Sequence, residues 1–462
     1  MSVTLNLFEA AQAVSGEFLG ENVVFTGVST DSRTVAAGEL FIALRGDQFD
    51  GHDFVTTARE RGSVAAMVDE AGSEALRDKD FPFIVVKDTR LALGALAANW
   101  RARFTLSVIA VTGSNGKTTS KEMIASILRE MFGAEAVLAT QGNLNNDIGL
   151  PLTLLGLDSN YRAAVIEMGM NHPGEIDYLT HIGRPTVALV TNAQRAHLAG
   201  MGTMESVATE KGSIFSGLGA DGVAVFGATD PWSELSRTQS THCCRLCFAL
   251  DDSADVSGQC QTRGLDSVVT LAYKEEKIEV TLSLPGRHNA RNAMGAAAAT
   301  LAAGVSLTAV RDGLQAFHGI KGRLQRRSAR HGATLLDDTY NANPDSVCAA
   351  IDVLAATVGK KILVLGDMGE IGERTGQFHD EIGGYAKSQG IDRLFALGES
   401  SEVATRNFGE GGCHFKKIEN LIEALDKELT SETIILVKGS RFMRMERIAD
   451  AIAIPSEGDL SC

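Results

Sequence analysis

The chain has 462 residues, too many for one core, and about two to four domains are expected at this length. Hydrophobic residues make up 44% and charged residues 22%, the balance of an ordinary soluble globular protein. The formal net charge of -15 argues against non-specific nucleic-acid binding, so an anionic substrate would need locally clustered Lys and Arg.

The first residues, MSVTLNLFEAAQAVSG, lack the basic region of a secretory signal. Up to about Phe104, short apolar runs (Glu39–Leu44, Ser63–Val68, Phe83–Val86) alternate with polar turns. They predict a small α/β domain over residues 1–104.

A second segment, 105–318, opens on an apolar strand at Leu106–Thr112 and runs into TGSNGKTT. Gly116-Lys117-Thr118 is the end of a P-loop, Gly-x-x-x-x-Gly-Lys-Ser/Thr, although Val111 stands at the first glycine position and Gly113 is the nearest upstream glycine. A helix is predicted over Lys117–Met131, with Met123, Ile124, Ile127, Leu128 and Met131 on its buried face and Gly133 just past its end. Gly113, Ser114, Asn115 and Gly116 would let the backbone wrap a phosphate at the helix N-terminus. Lys117 reaches the β- and γ-phosphates, and the Thr118 hydroxyl can hold Mg²⁺, with Thr119 beside it. Further on, the strand Ala163–Met168 carries an acid, Glu167, at its end. This is the placement of a metal-holding carboxylate beside a P-loop. The strand Thr186–Thr191 leads to His197.

HCCRLC at His242–Cys247 contains one Cys-x-x-Cys with no second pair at zinc spacing, so reduced thiols of a cytosolic protein are the favoured account. The uncharged run Ala293–Val310 is Ala-rich, and Gly304 would end a helix there. It predicts a buried helix and no membrane span.

The third segment, 319–462, begins near Gly319–Arg323. Strands are predicted at Ala333–Leu336, Ile362–Leu365, Leu394–Leu397 and Ile434–Val437, with amphipathic helices such as Asp345–Val358 and Phe378–Gln389 between them. Such alternation implies a parallel sheet covered on both faces. Arg326, Arg327 and Arg330 read as a solvated basic face.

Taken together, TGSNGKTT, TQGNLNNDIGLP (Thr140–Pro151), IEMG (Ile166–Gly169), TNAQRAHL (Thr191–Leu198), EKGSIF (Glu210–Phe215) and PGRHNARNAMGAAA (Pro285–Ala298) resemble the motifs of the Mur ligase family, in the family's order. The resemblance covers nearly the whole chain. It implies three α/β domains: a small N-terminal uridine-nucleotide domain, a central P-loop ATPase-like sheet and a C-terminal Rossmann-like domain. It also implies an ATP-dependent amide ligase of peptidoglycan synthesis, bacterial and cytoplasmic, working as a single chain. The central motifs are shared with folylpolyglutamate synthetases. STDSR (Ser29–Arg33) and RGDQFDGHDF (Arg45–Phe54) count against that enzyme. LLDDTYNANPDS (Leu335–Ser346), LGDMGEIGE (Leu365–Glu373) and VKGSRFMRME (Val437–Glu446) are most similar to the branch that adds D-alanyl-D-alanine to a UDP-N-acetylmuramoyl tripeptide. The Asp-Asn-Pro-Arg motif of the diaminopimelate-adding branch is absent.

By this resemblance Glu167, His197 and Lys211 hold a second Mg²⁺, with Lys211 carbamylated, and Lys117, Lys211 and His197 are the catalytic set. Asn289, Asn292, Arg323, Asp338, Tyr340 and Asn343 contact the nucleotide. Thr30, Asp31, Ser32, Arg33, Asp50, Gly51, His52, Asn143, Asn145 and Asn146 contact the UDP-linked substrate. Gly366–Glu373 and Lys438–Arg444 are the candidate grip on the dipeptide.

Overall fold

The computed structural model describes residues 3–74 and 80–455. Three separate sheets divide the chain, apart from a two-stranded ribbon of Leu5–Asn6 and Val24–Phe25.

The N-terminal sheet has five strands in the order Glu17–Leu19, Phe83–Val86, Ala65–Asp69, Leu40–Ile42, Val28–Ser29, parallel except for the first. Its last helix, Thr89–Arg101, starts at Asp88, whose carboxylate accepts the Arg90 and Leu91 amides. This helix fastens the domain to the central one. Leu93, Leu96 and Trp100 share one apolar core with Leu150, Leu154, Ile176 and Leu179. At the same junction Trp100 Nε1 donates to Leu157 O at 3.0 Å and Arg101 Nε to Gly183 O at 3.1 Å.

The central sheet has nine strands. Its parallel part runs Val256–Arg263, Cys244–Leu250, Val223–Gly227, Val187–Val190, Ser107–Thr112, Ala163–Glu167, Val137–Ala139. The Ser107–Thr112 strand is therefore interior, and Val108–Val111 are fully buried. Asp266–Tyr273 and Glu276–Leu282 extend the sheet as an antiparallel meander. The Ala-rich run forms most of a buried helix, Arg287–Ala302, and Gly304 (φ +84°) separates it from a second helix, Leu307–Gln315. One expectation for the P-loop helix fails: Met131 is 45% exposed, because in the last turn it is Phe132 that packs against the core while Arg129, Glu130 and Met131 face outward.

The C-terminal sheet has the order Gln325–Ser328, Thr334–Asp338, Thr433–Lys438, Lys360–Gly366, Arg393–Leu397, Gly412–Phe415, parallel except for the first pair. Leu336, Leu363, Leu365 and Leu436 face one apolar core, and Leu335, Ile362, Val364, Ile435 and Val437 face another. Alternation of this kind is what helices on both faces require. Arg327 corrects the reading of a solvated basic face. It is half-buried and pairs with the fully buried Asp337 at 3.1 Å and with Asp450 at 2.7 Å.

Candidate functional site

The Ser107–Thr112 strand delivers the chain into Gly113 (φ +149°), and Gly116 (φ +78°) starts the helix Lys117–Phe132. A Cβ at Gly113 would collide with the Thr191 hydroxyl, and one at Gly116 with the Asn292 amide, so side-chain-free backbone is a steric need here. Asn192 pins the loop, its O accepting from Ser114 N and its Oδ1 from Asn115 N, each at 3.0 Å. The free N–H groups of the helix's first turn then face the cleft with their partial positive charge. Lys117 folds back over the loop and donates to Gly113 O at 2.7 Å. Burial lowers its pKa, with the Glu167 charge opposing.

Glu167 ends the strand adjacent to Ser107–Thr112, in register with Val111. Its amide donates to Thr140 Oγ1 at 3.0 Å, and its Oε1 accepts from Asn145 Nδ2 at 2.8 Å. Its Oε2 is buried with no partner, and so is Lys211 Nζ. Lys211, fully buried, sits on the helix Met204–Gly212. Its neighbour Glu210 fixes that helix in rotation by capping the helix Glu175–Gly183, accepting from Gly174 N at 2.9 Å and Ile176 N at 2.8 Å. Burial first, and then the Lys117 charge, hold the Lys211 amine well below its ordinary pKa. His197, in left-handed backbone (φ +57°), is also pushed down by burial. Its Nδ1 is 3.3 Å from Glu370 Oε2.

The opposite wall comes from the helix Arg287–Ala302 and the C-terminal domain. Asn289 and Asn292 are buried at that helix's N-terminal end, 3.3 Å apart from Nδ2 to Oδ1. Arg323 donates to Thr118 Oγ1 at 3.2 Å and lies 3.9 Å from the centre of the Tyr340 ring. Asp338 accepts from Leu324 N at 3.1 Å and from Lys438 Nζ. Asn343 caps the helix Pro344–Ala355 and donates from Nδ2 to Asn115 Oδ1 at 2.8 Å. The open cleft between these walls measures about 670 Å³.

The model of the Mur ligase middle domain matches residues 111–300, that of the Mur ligase glutamate ligase domain 322–441, and that of the Mur ligase family catalytic domain 24–101. The UDP-N-acetylmuramoyl-tripeptide–D-alanyl-D-alanine ligase of Escherichia coli is 39% identical over 456 residues, covering 97% of this chain and 98% of its own. The chain belongs to the Mur ligase family.

Solved Mur ligases agree. MurF from Acinetobacter baumannii superposes with a TM-score of 0.90 at 34% identity, over 97% of this chain and 99% of that one. MurF ligase from Thermotoga maritima in complex with ADP gives 0.82 at 26% identity, over 92% and 96%. In this Mur ligase the cleft gathers Ser114–Thr119, Asn143, Asn145, Glu167, His197, Asn289, Asn292, Arg323, Asp338, Tyr340 and Asn343. Gly113 and Lys211 are buried and do not line it. Asn146 lies outside it and instead accepts from the Gly149 amide at 2.8 Å, starting the helix Gly149–Leu155. Thr30, Asp31, Ser32, Arg33, Asp50, Gly51 and His52 also lie outside the cleft, in the N-terminal domain. There Arg33 grips Asp31, whose carboxyl falls to about 2, and Asp50 binds His52 and Arg45. Sequence reasoning missed Arg195 and His288. Nothing in their spacing signals a role, and His288 becomes conspicuous only where the cleft wall half-buries it and desolvation lowers its pKa to about 4.

Proposed function

We propose that this chain is an ATP-dependent ligase that joins D-alanyl-D-alanine to a UDP-N-acetylmuramoyl tripeptide through an acyl phosphate. The full-length similarity to ligases of that name carries the reading, and the cleft supplies groups suited to the chemistry. Residues 1–104 take the uridine-linked substrate, 105–318 the ATP phosphates, and 319–462 complete the nucleotide site and admit the dipeptide. The tripeptide carboxylate attacks the γ-phosphorus of ATP, and ADP leaves. The dipeptide amine then attacks the acyl carbonyl, the amide bond forms and phosphate departs.

Two anions must meet in the first step, so positive charge around the phosphates is the main electrostatic requirement. Lys117, Arg323 and the first-turn N–H groups provide part of it. The orphaned Glu167 Oε2, with His197 and Lys211 nearby, fits a divalent cation once the Lys211 amine is carbamylated, and Thr118 Oγ1 fits another. Mg²⁺ so held would supply the remaining charge. A lysine held below its ordinary pKa presents the neutral amine that adds CO₂, and loss of one proton then leaves a carbamate anion in place of that neutral amine. Arg323 and Asn343 reach the P-loop from the C-terminal domain, with Tyr340 stacked on Arg323, so closing the domains completes the site and excludes water from the acyl phosphate.

The test mixes ATP, Mg²⁺, the UDP-muramoyl tripeptide and D-alanyl-D-alanine and follows phosphate. Release that depends on both peptide substrates is expected. Release indifferent to the dipeptide would remove the ligase reading.

A further inference from the structure

Arg195 stands in the loop after the Val187–Val190 strand, two residues before His197. Its Nε and Nη2 donate to Asp345 Oδ1 at 2.9 and 2.7 Å, and its backbone N–H donates to Asp345 Oδ2 at 2.7 Å. Its Nη1 reaches both oxygens of Glu381 at 3.0 Å, and the guanidinium lies 5.4 Å from the centre of the Phe378 ring. Asp345 belongs to the helix Pro344–Ala355, and Phe378 and Glu381 to Thr375–Ser388. One central-domain side chain therefore binds the two helices that follow the cleft loops of Tyr340 and Glu370. Isolated surface ion pairs contribute little, but this is a planar fork shared by two carboxylates and a ring, with side chains only 28% exposed for Arg195 and 23% for Asp345. A lysine cannot reproduce that geometry.

Few apolar contacts compete with it. Among the described residues, Leu198 and Leu265 are the central-domain side chains packed on the C-terminal core. Of the other rungs, Asn115–Asn343, Thr118–Arg323 and His197–Glu370 involve groups that the proposed function assigns to nucleotide and metal, and one more is a single backbone bond from Ala199 N to Glu370 O at 3.3 Å.

We propose that Arg195 is the clamp that closes this cleft, a positioning residue that sets Tyr340, Asn343 and Glu370 against the P-loop without touching substrate. Its kinetic consequence rests on the ligase reading. A ligand that needs both domains binds in proportion to the closed fraction, so loss of the clamp weakens binding and leaves the closed-state chemistry intact.

The test compares the full-length protein with R195A, R195K, D345A and the R195A/D345A double variant. Three quantities are measured: kcat and KM for ATP, the radius of gyration by solution scattering with and without a non-hydrolysable ATP analogue, and the thermal midpoint as a check on folding. R195A is expected to raise KM for ATP about 10-fold with kcat within about threefold of wild type. It should also expand the nucleotide-free molecule but not the analogue complex. R195K should recover only part of the KM, and the double variant should be no worse than the worse single one. Raising salt should raise the KM of the wild type more steeply than that of R195A, which keeps only the salt dependence of phosphate binding itself. An unchanged KM with unchanged scattering, a loss confined to kcat, or fully additive singles would overturn the clamp. If the wild type shows no ligase turnover, the functional reading fails, and the scattering comparison still decides the clamp.

Discussion

In the proposed mechanism the chemistry turns on Lys211. A buried ammonium with no partner is unstable, whereas a buried neutral amine beside a carboxylate cluster is ready for modification. Lys211→Ala is expected to cut turnover by more than about 100-fold, an effect typical of losing charge stabilisation at a transferring phosphoryl group. Short carboxylates added to that variant should restore part of the rate, and a variant with near-normal turnover would clear Lys211 of any role. His288 makes a different prediction. Folded, it titrates near 4; unfolded, it titrates near its ordinary value of about 6.5. Between those values the unfolded chain binds the extra proton, so stability falls as pH drops from about 6.5 toward 4. The loss from this residue is on the order of 2 kcal/mol, and His288→Asn should flatten that limb of a denaturation-against-pH curve. The sequence marked Glu167, His197 and Lys211 by resemblance. It could not mark His288 or Arg195, because burial and cross-domain pairing leave no local pattern.

At the scale of elements, the strand–loop–helix around Gly113 and Gly116 was legible except for the exposed Met131 at its end, since buried strand, glycine turn and helical period all agree. Gly116→Ala forces a side chain into left-handed backbone and against Asn292. It should weaken binding of a non-hydrolysable ATP analogue by at least about 10-fold in calorimetric titration, with a smaller change in the thermal midpoint, because the strain of about 1–2 kcal/mol is local. An unaltered affinity would show that the loop has room the structure denies it. Four of the five parallel strands of the C-terminal sheet were also legible, the short, half-exposed Gly412–Phe415 being the exception. Its antiparallel edge strand Gln325–Ser328 was not, being polar and half-exposed. The meander was hidden for another reason: its turn at Tyr273–Glu276 uses Lys274 at φ +54° where Gly or Asn would announce a hairpin.

Across the whole molecule the two junctions differ in kind. The N-terminal and central domains share one apolar core, whereas the C-terminal domain is held chiefly by polar rungs over the cleft. Scanning calorimetry should therefore resolve two transitions, one for the fused pair and one for the C-terminal domain. Saturating ADP should draw them together, as a ligand bound by both sides stabilises each. A single transition insensitive to ADP would count against separate cooperative units. Sequence indicated three α/β domains but could not tell which junction was stiff, since both depend on residues far apart in the chain. The place of Thr433–Lys438 has one more consequence. It lies inside the C-terminal sheet, between Thr334–Asp338 and Lys360–Gly366, and its last residue, Lys438, holds Asp338. On the ribosome, every other strand of that sheet is synthesised before the one that joins its two halves. A nascent chain can thus assemble its P-loop early, yet it acquires the second wall of the cleft only after all the other strands of that sheet have been made.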